Sequence, residues 1–537
     1  MELSTRASRG CMPCRKRKIR CDQSRPHCQM CIKRSKHCYG YREEADLQFL
    51  DQTEAIQRKV KQTLNVDQDK DLSTPLTRQH PTKENPEDFP GIPRTGTPSI
   101  KTDLVPERPP TYSIKTSISE IQLDIPCLEQ SLSLFFNQYV SPGDDEIPGL
   151  NDFLPLFYQQ ALPSSCLKLC VAATAYASLA NQSNSTSMGL KAWDAYGTAL
   201  SSVNAALADP TECLKDETLG ALFILGIFEN ISGQQLNIFG AHGCGMDRLL
   251  QVRGPRSFAS IKGQLISKAV CAYLQIRNLS LGRRPPPYEE TWLAALNYRY
   301  PPPYRRFMLI VSRICHARAD TEDLLSSIDK AVKYGSYTSL QQHCTALTDL
   351  IMKMQNIASS HCLWAQGVSE SWAFTSISDP NAGIGFGNNS EGSVHIYHSL
   401  WMANIWNWNR SSNILLQCSL LKCLAKLSSI SAKLPDHDTL EANARMTIQS
   451  MIRDICASIP FIMCDINGDG EPIKNQQMAV PVGQNMAQLW LLWHFHTILR
   501  SGHALPKQMK IVGEVIPRIG LGKGIRQALQ GRGRVAP

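Results

Sequence analysis

The apolar positions of this 537-residue chain change their spacing at about residue 127. Beyond it, Leu, Ala and aromatic residues recur at helical intervals. Leu167, Cys170, Val171, Thr174 and Leu179 make one face, and Leu214, Leu219, Leu222, Phe223 and Leu225 fill a second helix. Ile414, Leu415, Leu416, Leu420, Leu421, Leu424 and Leu427 predict a helix apolar enough to lie in the core. Period-two alternation is scarce, and turn signals such as Asp209-Pro210 and Arg284-Pro285-Pro286-Pro287 separate long helical stretches. The pattern predicts a large all-α region over 127–537. Its longest strongly apolar stretch, Leu219–Phe228, reads as a buried helix. No run approaches the ~18 residues of a membrane span, so no membrane partner is expected.

Upstream the pattern fades in two steps. Residues 67–126 hold ten prolines with Thr and Ser throughout, and no hydrophobic period survives. Such a stretch cannot bury enough apolar surface to offset its ordering entropy, so it reads as a disordered linker. Residues 43–64 have helical composition, without Gly or Pro. Phe49, Ile56 and Val60 fall in a heptad phase that Thr53 and Thr63 interrupt, short of the three heptads a coiled coil needs. The segment 43–66 is a short helical element and a candidate dimerisation contact.

Composition changes this picture in one place. With 42% hydrophobic residues, the chain can bury a sizeable core, as one large domain or two. Residues 1–42 carry twelve Lys and Arg against two acids, Glu2 and Asp22, a net +10. The whole chain is +9, so everything after residue 42 sums to −1. Residues 43–126 contribute fifteen acids and ten bases, a mild acidity that suits a spacer or an activation segment. The basic balance therefore belongs to one small module, which reads as a phosphate footprint and could serve nuclear import as well.

That module also holds the strongest chemical signal. Cys11, Cys14, Cys21, Cys28, Cys31 and Cys38 follow C-x2-C-x6-C-x6-C-x2-C-x6-C, in which the first three cysteines recur as the last three with the same gaps. Zinc favours four tetrahedral thiolates. Six sulfurs fill the eight positions of two zincs only if two of them bridge, and the repeat makes an equivalent pair, one from each half, the natural choice. A disulfide framework needs an oxidising compartment, whereas the N-terminus MELSTRASRG has no apolar h-region or cleavage site. A single four-cysteine zinc would leave two thiols idle. The other thirteen cysteines, scattered from Cys127 to Cys464 without ligand spacing, read as reduced core residues.

The stretch resembles the fungal binuclear zinc cluster transcription factors, down to the run Arg15-Lys16-Arg17-Lys18-Ile19-Arg20-Cys21-Asp22 and Pro26 in the connecting loop. The resemblance implies two structural Zn2+ ions bridged by Cys11 and Cys28, two short helices, and a first helix in the major groove of double-stranded DNA. It implies further that the lysine three residues before the third cysteine, Lys18 here, reads a CGG triplet. Arg15, Lys16, Arg17 and Arg20 are the accompanying DNA-contact candidates. Six thiolates and two zincs sum to a formal −2, so neighbouring basic side chains can both neutralise the cluster and face phosphate. A long basic side chain on a groove-bound helix suits guanine O6 and N7. A Tyr-Arg followed by an F-x-x-x-T-E…R-K stretch after the last cysteine is similar to one branch of the same family.

The region from 127 resembles the fungal-specific regulatory domain that follows the cluster in a large branch of these factors. The run of an aromatic, H-x-x-G and L-L-x-x-R-G stands as Phe239, His242, Gly245, Leu249-Leu250 and Arg253-Gly254, with Phe where Trp is more usual. Trp406-Asn407-x-x-Arg410, Ile455-Cys456-Ala457-Ser458-Ile459-Pro460 and Ile519-Gly520…Gly524-Ile525 match later blocks. His242, on a helix beside Gly and Leu, reads as a hydrogen-bonded packing residue and not as a catalytic one.

Other motifs fail on their chemistry. Asp465-Ile466-Asn467-Gly468-Asp469-Gly470 imitates half a calcium loop, but position 12 would be Gln476 in place of a bidentate Glu, and position 8 is Pro472. His494-Phe495-His496 lacks a third ligand. There is no P-loop, no G-x-S-x-G and no H-E-x-x-H.

The expectation is a mostly α protein in four parts: zinc cluster 1–42, helical segment 43–66, linker 67–126 and all-helical regulatory domain 127–537. The resemblance implies a nuclear, sequence-specific regulator of RNA polymerase II promoters, not an enzyme, acting with transcription machinery or coregulators on the genes of some pathway such as secondary metabolism. One cluster reads about three base pairs, so a homodimer on paired half-sites is expected. An enzyme with an accessory cluster would need a nucleophile–base pair or an open metal motif. An RNA-binding or protein-interaction scaffold would be told apart by preferring single-stranded RNA to a CGG duplex, and the cluster offers only Tyr39 and Tyr41 for base stacking.

Overall fold

The structure, a computed structural model, describes residues 126–530 apart from 144–148, 234–241, 288, 296–300, 335–336, 379–392, 431–432 and 474–480. Within the N-terminal cysteine stretch it describes residues 14, 21, 22, 24, 28–34 and 38. The segment 43–66 and nearly all of the linker lie outside the described residues, as do Cys11, Arg15, Lys16, Arg17, Lys18 and Arg20. Contacts divide the chain into two units, Arg58–Pro126 and the remainder.

Among the described residues are fifteen α-helices and one two-stranded sheet, so the protein is mostly α. The short helix α1, Gln29–Ile32, belongs to the cysteine stretch. Beyond it come α2 (Cys127–Tyr139), α3 (Leu154–Gln160), α4 (Cys166–Gln182), α5 (Thr186–Ala208), α6 (Asp216–Ser232), α7 (His242–Arg253), α8 (Ile261–Leu281) and α9 (Glu289–Ala295). Then follow α10 (Pro302–Lys333), α11 (Tyr337–Gln366), α12 (Leu400–Ile430), α13 (His437–Ile462), α14 (Gln484–Ser501) and α15 (Pro506–Pro517). None of these helices is long and apolar enough to cross a membrane.

Local chemistry sets the helix ends. Ser165, Ser185 and Ser260 open α4, α5 and α8, each hydroxyl accepting from the N–H three residues on, at 3.3, 3.3 and 2.9 Å. Each such cap is worth about 1 kcal/mol. Gly233 and Gly282 close α6 and α8 at φ 68° and 61°, a left-handed conformation in which a side chain is strained. At the Asp209-Pro210 turn, the Asp209 carboxylate accepts from the N–H groups of Thr211 and Glu212, at 2.7 and 3.0 Å.

Two helices organise the packing. In α6 every residue from Thr218 to Ile231 is buried, which is why its sequence is apolar all round. It packs on α4, α5, α7 and α8. In the second group α12 plays this part, packed against α10, α11, α13 and α14. The two groups share one continuous apolar core. Lys268 of α8 donates to both oxygens of Asp152, at 2.8 and 2.7 Å, and so ties the turn before α3 to the core.

Two details depart from the apolar pattern. Leu214 is not part of α6: it lies in a 3₁₀ turn, Glu212–Leu214, and is 38% exposed. Lys215 is extended there (φ −74°, ψ 149°) and starts a new helix, which interrupts the apolar phase that runs from Leu214 to Leu225 in the sequence. Leu179 is only half-buried on α4. The sheet was also unforeseen. Strands β1, Thr375–Ser378, and β2, Ser393–Ile396, pair antiparallel with Thr375 opposite Ile396 and Ser378 opposite Ser393. Four-residue strands rich in Ser and Thr are too short to show an alternation.

Candidate metal centre

Among the described residues of the cysteine stretch, sulfur makes up the interior. Cys14, Cys28 and Cys31 are fully buried and Cys38 nearly so, with Cys21 and Met30 partly buried against them. The sulfurs of Cys14 and Cys28 are 3.6 Å apart, and those of Cys14 and Cys31 are 3.9 Å apart. Two thiolates bound to one zinc at ~2.3 Å with a tetrahedral angle would stand ~3.8 Å apart. Cys28 belongs to two ligand groups, one with Cys14 and Cys31 and one with Cys21 and Asp22, each with its donor atoms within 4.8 Å of one another. The sulfur spacing and burial fit zinc.

Asp22, which the sequence reading gave no role beyond its place in a basic run, links the two halves of this stretch. Its carboxylate accepts from the backbone N–H groups of Gln29 at 3.1 Å and Met30 at 3.4 Å, at the start of α1. The Cys28 sulfur accepts from Cys31 N–H at 3.3 Å at the same helix end. The orphan donors of that first turn thus meet a carboxylate and a thiolate. The Ser24 hydroxyl, which donates to Asp22, is the largest influence that lowers the Asp22 carboxyl to about 2, ahead of those N–H groups. Asp22 therefore serves as a cap, with its oxygens already engaged.

The motif residues of the helical region take structural positions. His242 Nε2 lies 2.9 Å from Glu229 Oε1, both buried, and the Tyr196 hydroxyl donates to the same oxygen at 3.4 Å, joining α7, α6 and α5. Arg253 pairs with Asp216 and donates to Lys215 O at 3.3 Å, pinning the end of α7 to the start of α6. Asn181 Nδ2 donates to Ile231 O at 2.9 Å and Gly524 O at 2.8 Å, which holds the Gly524-Ile525 block against α4 and α6.

Arg410 sits at the centre of the second helix group and is 2% exposed. It donates to the Tyr397 hydroxyl at 2.6 Å and Asn407 Oδ1 at 2.7 Å, and lies 3.1 Å from His395 Nδ1. Its guanidinium also stands over the rings of Phe374, Tyr397 and Trp406. Asn407 passes the network on to Ser458 Oγ at 2.7 Å, so two of the separated sequence blocks meet there. Burial, and after it the charge of Arg410, holds His395 near 3.

The refused motifs have occupied partners. Asp465 receives two hydrogen bonds from Arg518, at 2.6 and 3.1 Å, and Asn467 closes its own loop by accepting from the N–H groups of Asp469 and Glu471. Among the described residues two serine–histidine pairs stand within hydrogen-bond reach, the part-buried Ser327 Oγ and His343 Nε2 at 3.0 Å and Ser411 Oγ and His494 Nδ1 at 2.8 Å. Ser411 and His494 are fully buried, and burial, with Arg410 second, holds the His494 imidazole near 3, far from the working range of a general base.

Known proteins resemble the chain in the two places where these features lie. Residues 9–47 match the fungal Zn(2)-Cys(6) binuclear cluster domain, and residues 131–464 match the fungal specific transcription factor domain. Over 36 residues the chain is 50% identical to an uncharacterized transcriptional regulatory protein of Schizosaccharomyces pombe, a match that spans 7% of this chain and 7% of that relative. No solved structure matches the chain. The second family match takes in more than half of the sequence, and the first brings a domain that binds two zinc ions and DNA. The chain belongs to the fungal-specific transcription factors that carry a binuclear zinc cluster.

Proposed function

We propose that this protein reads CGG-type half-sites in the major groove, in the nucleus, at promoters transcribed by RNA polymerase II. The observation that carries the reading is the buried sulfur group centred on Cys28, at zinc-thiolate spacing, in a module that holds all of the chain's excess positive charge. Cys11, Cys14, Cys21, Cys28, Cys31 and Cys38 are assigned as the ligands, with Cys11 and Cys28 bridging. Bound zinc supplies structure there and no chemistry, because thiolates take every coordination position. Lys18 is assigned to the bases, and Arg15, Lys16, Arg17 and Arg20 to phosphate.

The same reading assigns 1–42 to DNA binding, 67–126 to a spacer and 127–537 to regulation of activity, with the dimer contact in 43–66 or in the helical domain beyond 127. A homodimer doubles the roughly three base pairs one cluster reads, and the linker and dimer contact then set the half-site spacing. Control of a pathway, such as one of secondary metabolism, suits a factor whose large second region is built apart from its DNA reader.

Lys18→Ala tests the assignment. It is expected to cost about 1–3 kcal/mol of discrimination between CGG and a scrambled triplet. Arg15→Ala is expected to weaken all duplexes alike and to reduce the salt slope by roughly one unit. Competition binding of the zinc-loaded protein measures both. A Lys18→Ala protein with the full wild-type preference for CGG refutes the base-reading role.

A further inference from the structure

The start of α13, just after the turn from α12, brings an imidazole and two carboxylates together. His437 and Glu441 stand one helical turn apart on the same face, with Asp438 beside them. One donor atom from each, a ring nitrogen and two carboxylate oxygens, lies within 4.8 Å of the other two. His437 Nε2 and Glu441 Oε2 are 3.9 Å apart, too far for a hydrogen bond. Two donors bound at ~2.1 Å to one tetrahedral zinc would stand ~3.4 Å apart, so a small rotation of Glu441 closes the gap.

His437 is the unusual member. Its side chain is 4% exposed, whereas those of Asp438 and Glu441 are 81% and 38% exposed. Packing therefore fixes the imidazole, and two freer carboxylates meet it at the surface. Among the described residues His437 Nδ1 has no hydrogen-bond partner, and Nε2 faces the Glu441 carboxylate across that open 3.9 Å. A buried imidazole held in this way is costly unless something meets it.

Neighbouring cations hold the carboxylates without using them up. Lys433 Nζ donates to Asp438 Oδ1 at 2.9 Å, and Arg445 Nε and Nη2 donate to Glu441 Oε1 at 3.1 and 2.7 Å. Each carboxylate keeps its second oxygen, and ligating carboxylates are commonly oriented by such hydrogen bonds. Lys433 and Arg445 are more than half exposed, so water and salt screen their charge.

We propose that His437, Asp438 and Glu441 bind a divalent transition cation, with Zn2+ the best fit, and that water fills its remaining positions. Imidazole suits zinc and its neighbours in the series, whereas Ca2+ and Mg2+ take oxygen ligands. One imidazole and two carboxylates hold zinc less tightly than a thiolate cluster does, so the site fills from free metal and empties on dialysis. Bound metal pins the first turn of α13 and stabilises the helical region by mass action.

The test titrates Zn2+ by calorimetry into dialysed full-length protein that keeps its cluster zincs, with Ca2+ as the control. One further equivalent per chain is expected for Zn2+ and none for Ca2+, and the melting temperature should rise with free Zn2+. His437→Leu keeps the buried bulk and removes the donor. Loss of a group that merely orients a ligand costs about 10–100-fold in metal affinity, so this variant is expected to lose about 100-fold or more. Glu441→Gln changes a partly exposed side chain, is expected to weaken Zn2+ by about tenfold or more, and serves if His437→Leu does not fold. An absent further equivalent, an equal response to Ca2+, or unchanged Zn2+ affinity in the variant that folds overturns the proposal. Because no DNA is present, either result leaves the CGG reading untouched.

Discussion

The cysteine stretch and the helical region are held together by different physics. In the first, the described residues that are buried are cysteines, with Met30 partly buried against them. In the second, one apolar core runs through α2 to α15, with tryptophans and phenylalanines at its centre. A module without a hydrophobic core gets its folding energy from metal binding, whereas a large helical domain gets it from area removed from water. The difference predicts that each region unfolds without the other, under a reagent that the other does not feel.

Removing zinc is the strongest way to break the comparison. Structural zinc sites of this class supply about 10–16 kcal/mol of apparent binding energy at neutral pH. A chelator is therefore expected to abolish DNA binding and the structure of residues 1–42, while the far-UV helical signal of 127–530 persists. Metal analysis of the untreated protein should give two zincs per chain. Loss of the helical signal in step with zinc would show that the two regions are not independent.

The reverse experiment is Arg410→Met. It leaves Tyr397, Asn407 and His395 without the guanidinium they surround, inside the core. Each buried polar group left unpaired in this way costs about 1–3 kcal/mol. Denaturant unfolding followed by tryptophan fluorescence should show that loss, with zinc content unchanged.

Acid sharpens the contrast. Burial first of all holds His361 near 4 and both His395 and His494 near 3, against ~6.5 in an unfolded chain. Their folded values are depressed, so the stability they confer is fully present above about pH 6.5 and is lost as pH falls toward 3–4. The helical region should lose a few kcal/mol between pH 7 and pH 5, measured by denaturant midpoints at each pH, and His494→Gln should flatten the slope. The smallest expected effect is that of Asn181→Leu. It strands the carbonyls of Ile231 and Gly524 and should cost about 1–3 kcal/mol by the same assay.

The sequence made these two kinds of region visible to different degrees. The metal stretch was legible because zinc ligation demands fixed spacings along a short chain. The helices were legible because an apolar face repeats every few residues, as Leu420, Leu424 and Leu427 do on α12. What escaped was whatever depends on partners far away in the chain. Arg410 could be matched to a motif, yet nothing near it shows that His395 and Tyr397 close around it. Asp22 reads as one acid among bases, and only the fold turns it toward the first N–H groups of α1. Leu214 went wrong for a local reason, the extended Lys215 that starts a new helix.

The clamp made by Asn181 has a consequence for synthesis. Its amide reaches Gly524 across 343 residues, and Asn485 reaches Gln138 across 347. At about 5–20 residues per second, α4 waits roughly 20–70 s on the ribosome before its last partner exists. Until then the Ile231 side of the clamp can form, but its C-terminal side cannot. Nascent chains cut short before residue 524 therefore carry an Asn181 amide with only the Ile231 carbonyl to meet.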